Sequence, residues 1–205
     1  MSSLERAAPM KDVPGDAALL ERHGRQLLAL ARASIACRLA TGRALACDAR
    51  AHPPELRAER AVFVTLSEAG RLRGCIGTPL AWRPLVVDVA DNAAAAAMED
   101  RRFHPLAANE LAGVAIALSL LSPPEPLSAA SETALLAQLV PGTDGLILEA
   151  DARTALFLPQ VWQHLPQPRD FLAELKAKAG LPRDRWSPSF AFRRFTSTSV
   201  VEVGA

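Results

Sequence analysis

Two glycines inside one short apolar run restrict this chain most. The stretch Ala61 to Pro79 reads AVFVTLSEAGRLRGCIGTP. Val62 to Leu66 is β-branched or apolar, as a strand requires. Ser67-Glu68-Ala69-Gly70 supplies turn chemistry, with Gly70 free to take positive φ. A second strand, Leu72 to Ile76, is expected to pair back as a hairpin across that four-residue turn. Glycine weakens a strand unless something must approach its backbone. Gly74 and Gly77 therefore mark a close approach on either side of Cys75. Strand alternation puts Arg73 and Cys75 on one face. A thiol beside a guanidinium is the candidate site, because a nearby cation favours the reactive thiolate. Glu110, His104 and His164 are candidate bases or orienting groups for it. The plain alternative is that Cys75 is a small core filler and the glycines serve internal packing.

The remaining elements read as an α+β fold, a mixed or antiparallel sheet with packed helices. Pro14-Gly15 closes an expected mobile tail over residues 1–15, and residues 16–205 form a single domain. A helix of about six turns is expected from Asp16, its cap, to Thr41-Gly42, with Leu19, Leu20, Leu27, Leu30 and Ile35 at helical spacing. Cys37 on it is expected to be buried. Residues 44–60 read as irregular, with His52-Pro53-Pro54 against helix. Cys47 in that stretch carries no assigned role. A second helix runs from Leu85 to about Glu99, with Asp88 and Asp91 on a solvated face. Leu111 to Leu121 reads as a central strand with a stiff Pro-rich exit. A short helix is expected over residues 132–139, a hairpin over residues 145–158, and a helix over Phe171 to Ala179. Terminal strands are expected over residues 190–195 and 198–203.

Composition excludes several functions. The net charge is +1, from 23 basic and 22 acidic residues, which gives no footprint for nucleic acid. No apolar run is long enough to span a bilayer, and the first residues do not read as a secretory signal. Three cysteines without CxxC spacing argue against a disulfide framework or zinc site and fit a reducing cytoplasm. No phosphate loop, GxSxG elbow or HExxH is present, so no metal or cofactor is expected.

The heptapeptide Leu72 to Thr78, LRGCIGT, preceded by FVTL at residues 63–66, resembles the signature of the AMMECR domain family. DRRF at residues 100–103 is similar to that family's DPRF, with Arg101 where proline is usual. SLLSPPEP at residues 119–126, Asp144-Gly145-Leu146, LFLPQVW at residues 156–162, Lys178-Ala179-Gly180-Leu181 and Trp186 also fit, in order. The likeness covers about residues 17–203. It implies a larger and a smaller lobe, with the signature near a cleft between them. Its bacterial branch is called AmmeMemoRadiSam system protein A. That name implies partnership with a Memo-like protein and a radical S-adenosylmethionine protein, and the family implies no reaction. Carried over by motif, the site residues are Arg73, Gly74, Cys75, Ile76, Gly77 and Thr78. Arg102, Phe103, Glu110 and Gln160 are secondary members. Two functions follow as expectations. One is an accessory or binding component whose signature glycines admit a partner's backbone. The other is an enzyme using Cys75 as nucleophile or acid/base, with Arg73 or Arg102 holding a small anionic substrate.

Overall fold

The computed structural model describes residues 15–202. The expected tail before Gly15 and the last residue of the expected final strand lie outside the described residues. In chain order the elements are α1 (Asp16–Thr41), α2 (Pro54–Arg57), β1 (Ala61–Glu68), β2 (Arg71–Gly77), α3 (Leu85–Met98), β3 (Val114–Leu121), β4 (Glu125–Pro126), α4 (Glu132–Leu136), β5 (Gly145–Ala150), β6 (Arg153–Phe157), α5 (Pro168–Lys178), β7 (Ala191–Phe195) and β8 (Ser197–Val201). They form an α+β fold of two antiparallel sheets, ordered β2-β1-β3-β8 and β4-β7-β5-β6.

The first sheet carries the larger core. Alternation along its strands turns Val62, Val64, Leu66, Ile116, Leu118 and Leu120 toward one face, and all are fully buried. On that face α1 contributes Leu19, Leu27 and Ile35, and α3 contributes Leu85, Val89 and Ala93. Each fully buried leucine, valine or isoleucine stabilises by about 1.5–3 kcal/mol. Gly42, at φ 71°, ends α1 by returning its N–H to the Arg38 carbonyl. Asp16 is not the cap of α1. Gly15 occupies that position, and Asp16 pairs with Arg60 instead. Cys37 is half-exposed rather than buried. The prolines do not forbid helix in residues 44–60, because Pro54 starts α2, where its fixed φ suits a first turn. Asp88 is not on a solvated face. It is fully buried at the start of α3, where it accepts from Arg83 at 2.6 Å and from the Thr78 hydroxyl.

The turn between β1 and β2 is shorter than the sequence suggested. Only Ala69 and Gly70 lie outside the strands, at φ 47° and 75°. Two successive left-handed residues give the primed turn whose twist matches paired strands. The hairpin between β5 and β6 repeats this with Asp151 and Ala152, at φ 51° and 60°.

The second sheet is inserted between β3 and β8. Its far face packs on α4 and α5 through Leu146, Leu148, Leu135, Phe171 and Leu175. There Trp162 stacks on Phe171 at 3.8 Å and donates from Nε1 to the Asp144 carbonyl at 2.7 Å. Its near face meets the first sheet through a third cluster, Ala61, Leu121, Ile147 and Phe195, joined by Phe63, Leu156 and Leu158. The two chain crossings between the lobes run side by side: the Ser122 N–H donates to the Thr196 carbonyl, and the Thr196 N–H to the Ser122 hydroxyl, both at 2.9 Å.

Candidate functional site

Cys75 lies on the sheet face turned toward the second lobe. Its Cα partner is Thr65 on β1, on the strand positions that alternate with the buried Val64 and Leu66. β2 is the edge of the first sheet, and the Cys75 N–H and C=O both point outward from it. Thr65 and Cys75 are therefore a non-hydrogen-bonded pair, the kind whose side chains stand closest. The Thr65 hydroxyl donates to Cys75 Sγ at 3.3 Å.

A free strand edge needs partners for its backbone groups. At Cys75 the loop after α3 provides them. Asp100 Oδ2 accepts from the Cys75 N–H at 2.8 Å, and Arg102 Nη2 donates to the Cys75 carbonyl at 3.3 Å. Asp100 and Arg102 are themselves joined twice, Nε to Oδ1 at 2.9 Å and Nη2 to Oδ2 at 2.7 Å. The Arg102 N–H adds a bond to Oδ1 at 3.1 Å. This fork-to-fork pair caps the strand edge as a neighbouring strand would. Arg102 also lies over the Phe103 ring, at 5.5 Å.

These contacts set the charges. Hydrogen bonds from Arg102, with those from the Cys75 and Arg102 N–H groups, outweigh desolvation and hold the Asp100 carboxyl at about 2, down from 3.8. Its partners screen it from water, so that only 6% of the side chain is exposed. Arg102 is held more firmly charged, first by Asp100, with the Cys75 sulfur a smaller contributor. From the second lobe, Lys178 donates to the Leu156 carbonyl at 3.0 Å and lies 5.2 Å from the Phe157 ring centre. Solvent reaches the Lys178 side chain, yet its amine is partly desolvated against that ring. Desolvation first, then repulsion from Arg102, lowers its pKa, and negative charge on Cys75 opposes them.

The structure redistributes the other candidate residues. Arg73 is not beside Cys75. Gly74 faces Leu66 and Leu72 faces Ser67, so Arg73 is the extra residue of a bulge and escapes the alternation rule. Its guanidinium bonds both oxygens of Glu110 at 3.2 Å and the His104 carbonyl at 2.8 Å. Glu110 is therefore engaged away from the thiol. His104 and His164 are exposed, and among the described residues neither ring is hydrogen-bonded to Cys75. The room beside Gly74 and Gly77 is taken by the protein's own atoms. A Cβ on Gly74 would overlap the Ala96 carbonyl oxygen of α3, and one on Gly77 would overlap the Phe63 ring. Ile76 packs against the first core, and Thr78 serves Asp88. Gln160 lines a different place. It bonds Ser199 of β8, at the opposite edge of the sheet, at 3.5 Å. There it borders an open groove of about 660 Å³ with Thr143, Trp162 and Ser197.

Of the residues the sequence offered, Arg102 is the one that bonds Cys75, at its carbonyl; Thr65, Asp100 and Lys178 were not among them. Thr65 was findable by pairing the hairpin strands. Asp100 and Lys178 both stand in the segments DRRF and KAGL that carry the family likeness. Among the described residues no three His, Cys, Asp or Glu side chains converge. Arg102 is paired with Asp100, and Lys178 has no carboxylate partner among the described residues.

Comparison with known proteins gives the family and the fold. The sequence model of the AMMECR1 family matches residues 28–200. A protein of Methanothermobacter thermautotrophicus is 38% identical over 158 residues, covering 74% of this chain and 80% of its own. Protein PF1979 of Pyrococcus furiosus is 39% identical over 173 residues, covering 80% of each. The crystal structure of the uncharacterized protein PH0010 from Pyrococcus horikoshii superposes with a TM-score of 0.82 at 35% identity, covering 88% of this chain and 92% of that one.

Proposed function

The chain belongs to the AMMECR1 family, and from that premise we propose that it is a binding component acting with a Memo-like protein and a radical S-adenosylmethionine protein. In this reading the face around Cys75 receives a small anionic molecule and presents it within that assembly. The observation that carries the reading is the placement of the signature thiol. It stands half-exposed on the face between the lobes, and the Arg102 guanidinium, held by Asp100, donates to its backbone carbonyl. A guanidinium fixed in place by a carboxylate is a pre-organised donor for a carboxylate or phosphate.

The test is capture of the purified Memo-like and radical S-adenosylmethionine proteins by the tagged full chain. The wild type is expected to retain at least one in reducing, low-salt buffer, and Arg102→Glu to retain less. Failure of the wild type to retain either overturns the partnership.

A second reading has its own observation, the Thr65 hydroxyl directed at Cys75 Sγ at 3.3 Å. A thiol with an adjacent hydroxyl and cation suits a nucleophile. Under it, Cys75→Ser abolishes turnover by the reconstituted three-protein system, and full turnover by that variant rejects the enzyme.

A further inference from the structure

The geometry points to Lys178 as the second cation of the Cys75 site: we propose that Arg102 and Lys178 hold a small carboxylate or phosphate ligand between the two lobes, directly over Cys75 Sγ. This rests on the reading above that the Cys75 face takes an anion, and adds the residue from the second lobe that completes it.

Three observations converge. Lys178 is tethered at the right place. Its Nζ donates to the carbonyl of Leu156, whose side chain packs in the interlobe cluster with Phe63. The Phe63 ring lies against Gly77, two residues from Cys75 on the same strand. Lys178 also keeps unused donors. Arg102 uses Nε and Nη2 on Asp100 and the Cys75 carbonyl, and it also interacts with the Cys75 side chain. One Lys178 N–H goes to Leu156, which leaves two. Finally, the charges are unbalanced. Lys178 pairs with no carboxylate among the described residues, and Asp100 is already committed to Arg102. Burial of the Lys178 amine and then repulsion from Arg102 lower its pKa, which puts the two cations in each other's field. A protein that holds two cations within each other's field in a solvent-accessible place leaves a position where an anion gains from both.

The experiment compares two alkylating reagents on the full chain, one anionic and one neutral. Cys75 Sγ displaces iodide from the methylene carbon of iodoacetate or iodoacetamide, forming a thioether and releasing iodide. Rates at Cys75 are read by peptide mass spectrometry at one pH, and the iodoacetate-to-iodoacetamide ratio is normalised to that of free glutathione. The wild-type ratio is expected to exceed that of glutathione. It should fall on the order of tenfold in Lys178→Gln, stay high in Lys178→Arg, and shrink toward one as salt rises. An unchanged ratio in Lys178→Gln overturns the role of Lys178 while leaving the Cys75 site intact. Failure of both reagents to modify the folded wild type overturns the site itself, and this inference with it.

Discussion

Asp100→Asn is the substitution whose effect the geometry fixes most tightly. Four donors converge on the carboxylate: the N–H groups of Cys75 and Arg102, and Arg102 Nε and Nη2. They divide two to each oxygen. An amide keeps one oxygen and replaces the other with a donor, so either amide orientation leaves two donors facing a third. The variant is expected to lose about 2–3 kcal/mol near neutral pH, as for broken hydrogen bonds to a charged group. Acid provides an independent check. The folded carboxyl titrates near 2 and the unfolded one near 3.8. A depressed folded pKa means that its stabilisation is complete above the unfolded value and disappears as pH falls through the folded value. At about 1.36 kcal/mol per unit the shift is worth a little over 2 kcal/mol. Arg102 is 57% exposed on its side chain, so solvent screening reduces this to about 1–2 kcal/mol. Urea unfolding followed by tryptophan fluorescence, for both proteins from pH 5 to pH 2, reads the difference directly. The stability gap between them should narrow by about 1–2 kcal/mol across that window, because the protonated wild type becomes a donor as the amide is. Parallel curves from pH 5 to pH 2 refute the assignment of Asp100 as the charged cap of the strand.

Three further outcomes follow from the same contacts. Gly74→Ala places a methyl group against the Ala96 carbonyl of α3, and neither backbone can yield; a loss of about 3 kcal/mol or more in chemical unfolding is expected, and a loss below 1 kcal/mol would contradict that packing. Cys75→Ala removes a half-exposed sulfur, so its unfolding free energy should change by less than about 1 kcal/mol; a larger loss would make the thiol a core residue. Asp88→Asn strips the charge from a fully buried carboxylate paired with Arg83 and should cost about 3 kcal/mol, measured as a shift in the urea midpoint.

Much of the fold was legible because it rests on local rules. Helical spacing placed α1 and α3 within a residue or so of their observed ends, and turn residues placed both hairpins. The candidate site was legible only as far as Cys75. Alternation predicted Arg73 beside Cys75, but one extra residue in β2 breaks the period and sends Arg73 to Glu110. Local patterns cannot announce such a slip, since nothing in LRGCIGT marks which residue goes unpaired. Asp88 misled for a related reason. A carboxylate in a helix reads as solvated until Arg83, from the preceding loop, is seen to cover it. Asp100 and Lys178 are brought to Cys75 from 25 and 103 positions away along the chain, a separation that periodicity does not span. The glycines were correctly read as marks of close approach, but what approaches is the protein's own helix and ring.

The paired crossings at Ser122 and Thr196 have a mechanical meaning. Two tethers bonded to each other, beside the buried cluster of Ala61, Leu121, Ile147 and Phe195, join one lobe to the other at a single seam. Cys75 stands two strand spacings from β3, about 10 Å. Arg102 belongs to the first lobe and Lys178 to the second, so the spacing of these two cations is set by that seam and by neither lobe alone.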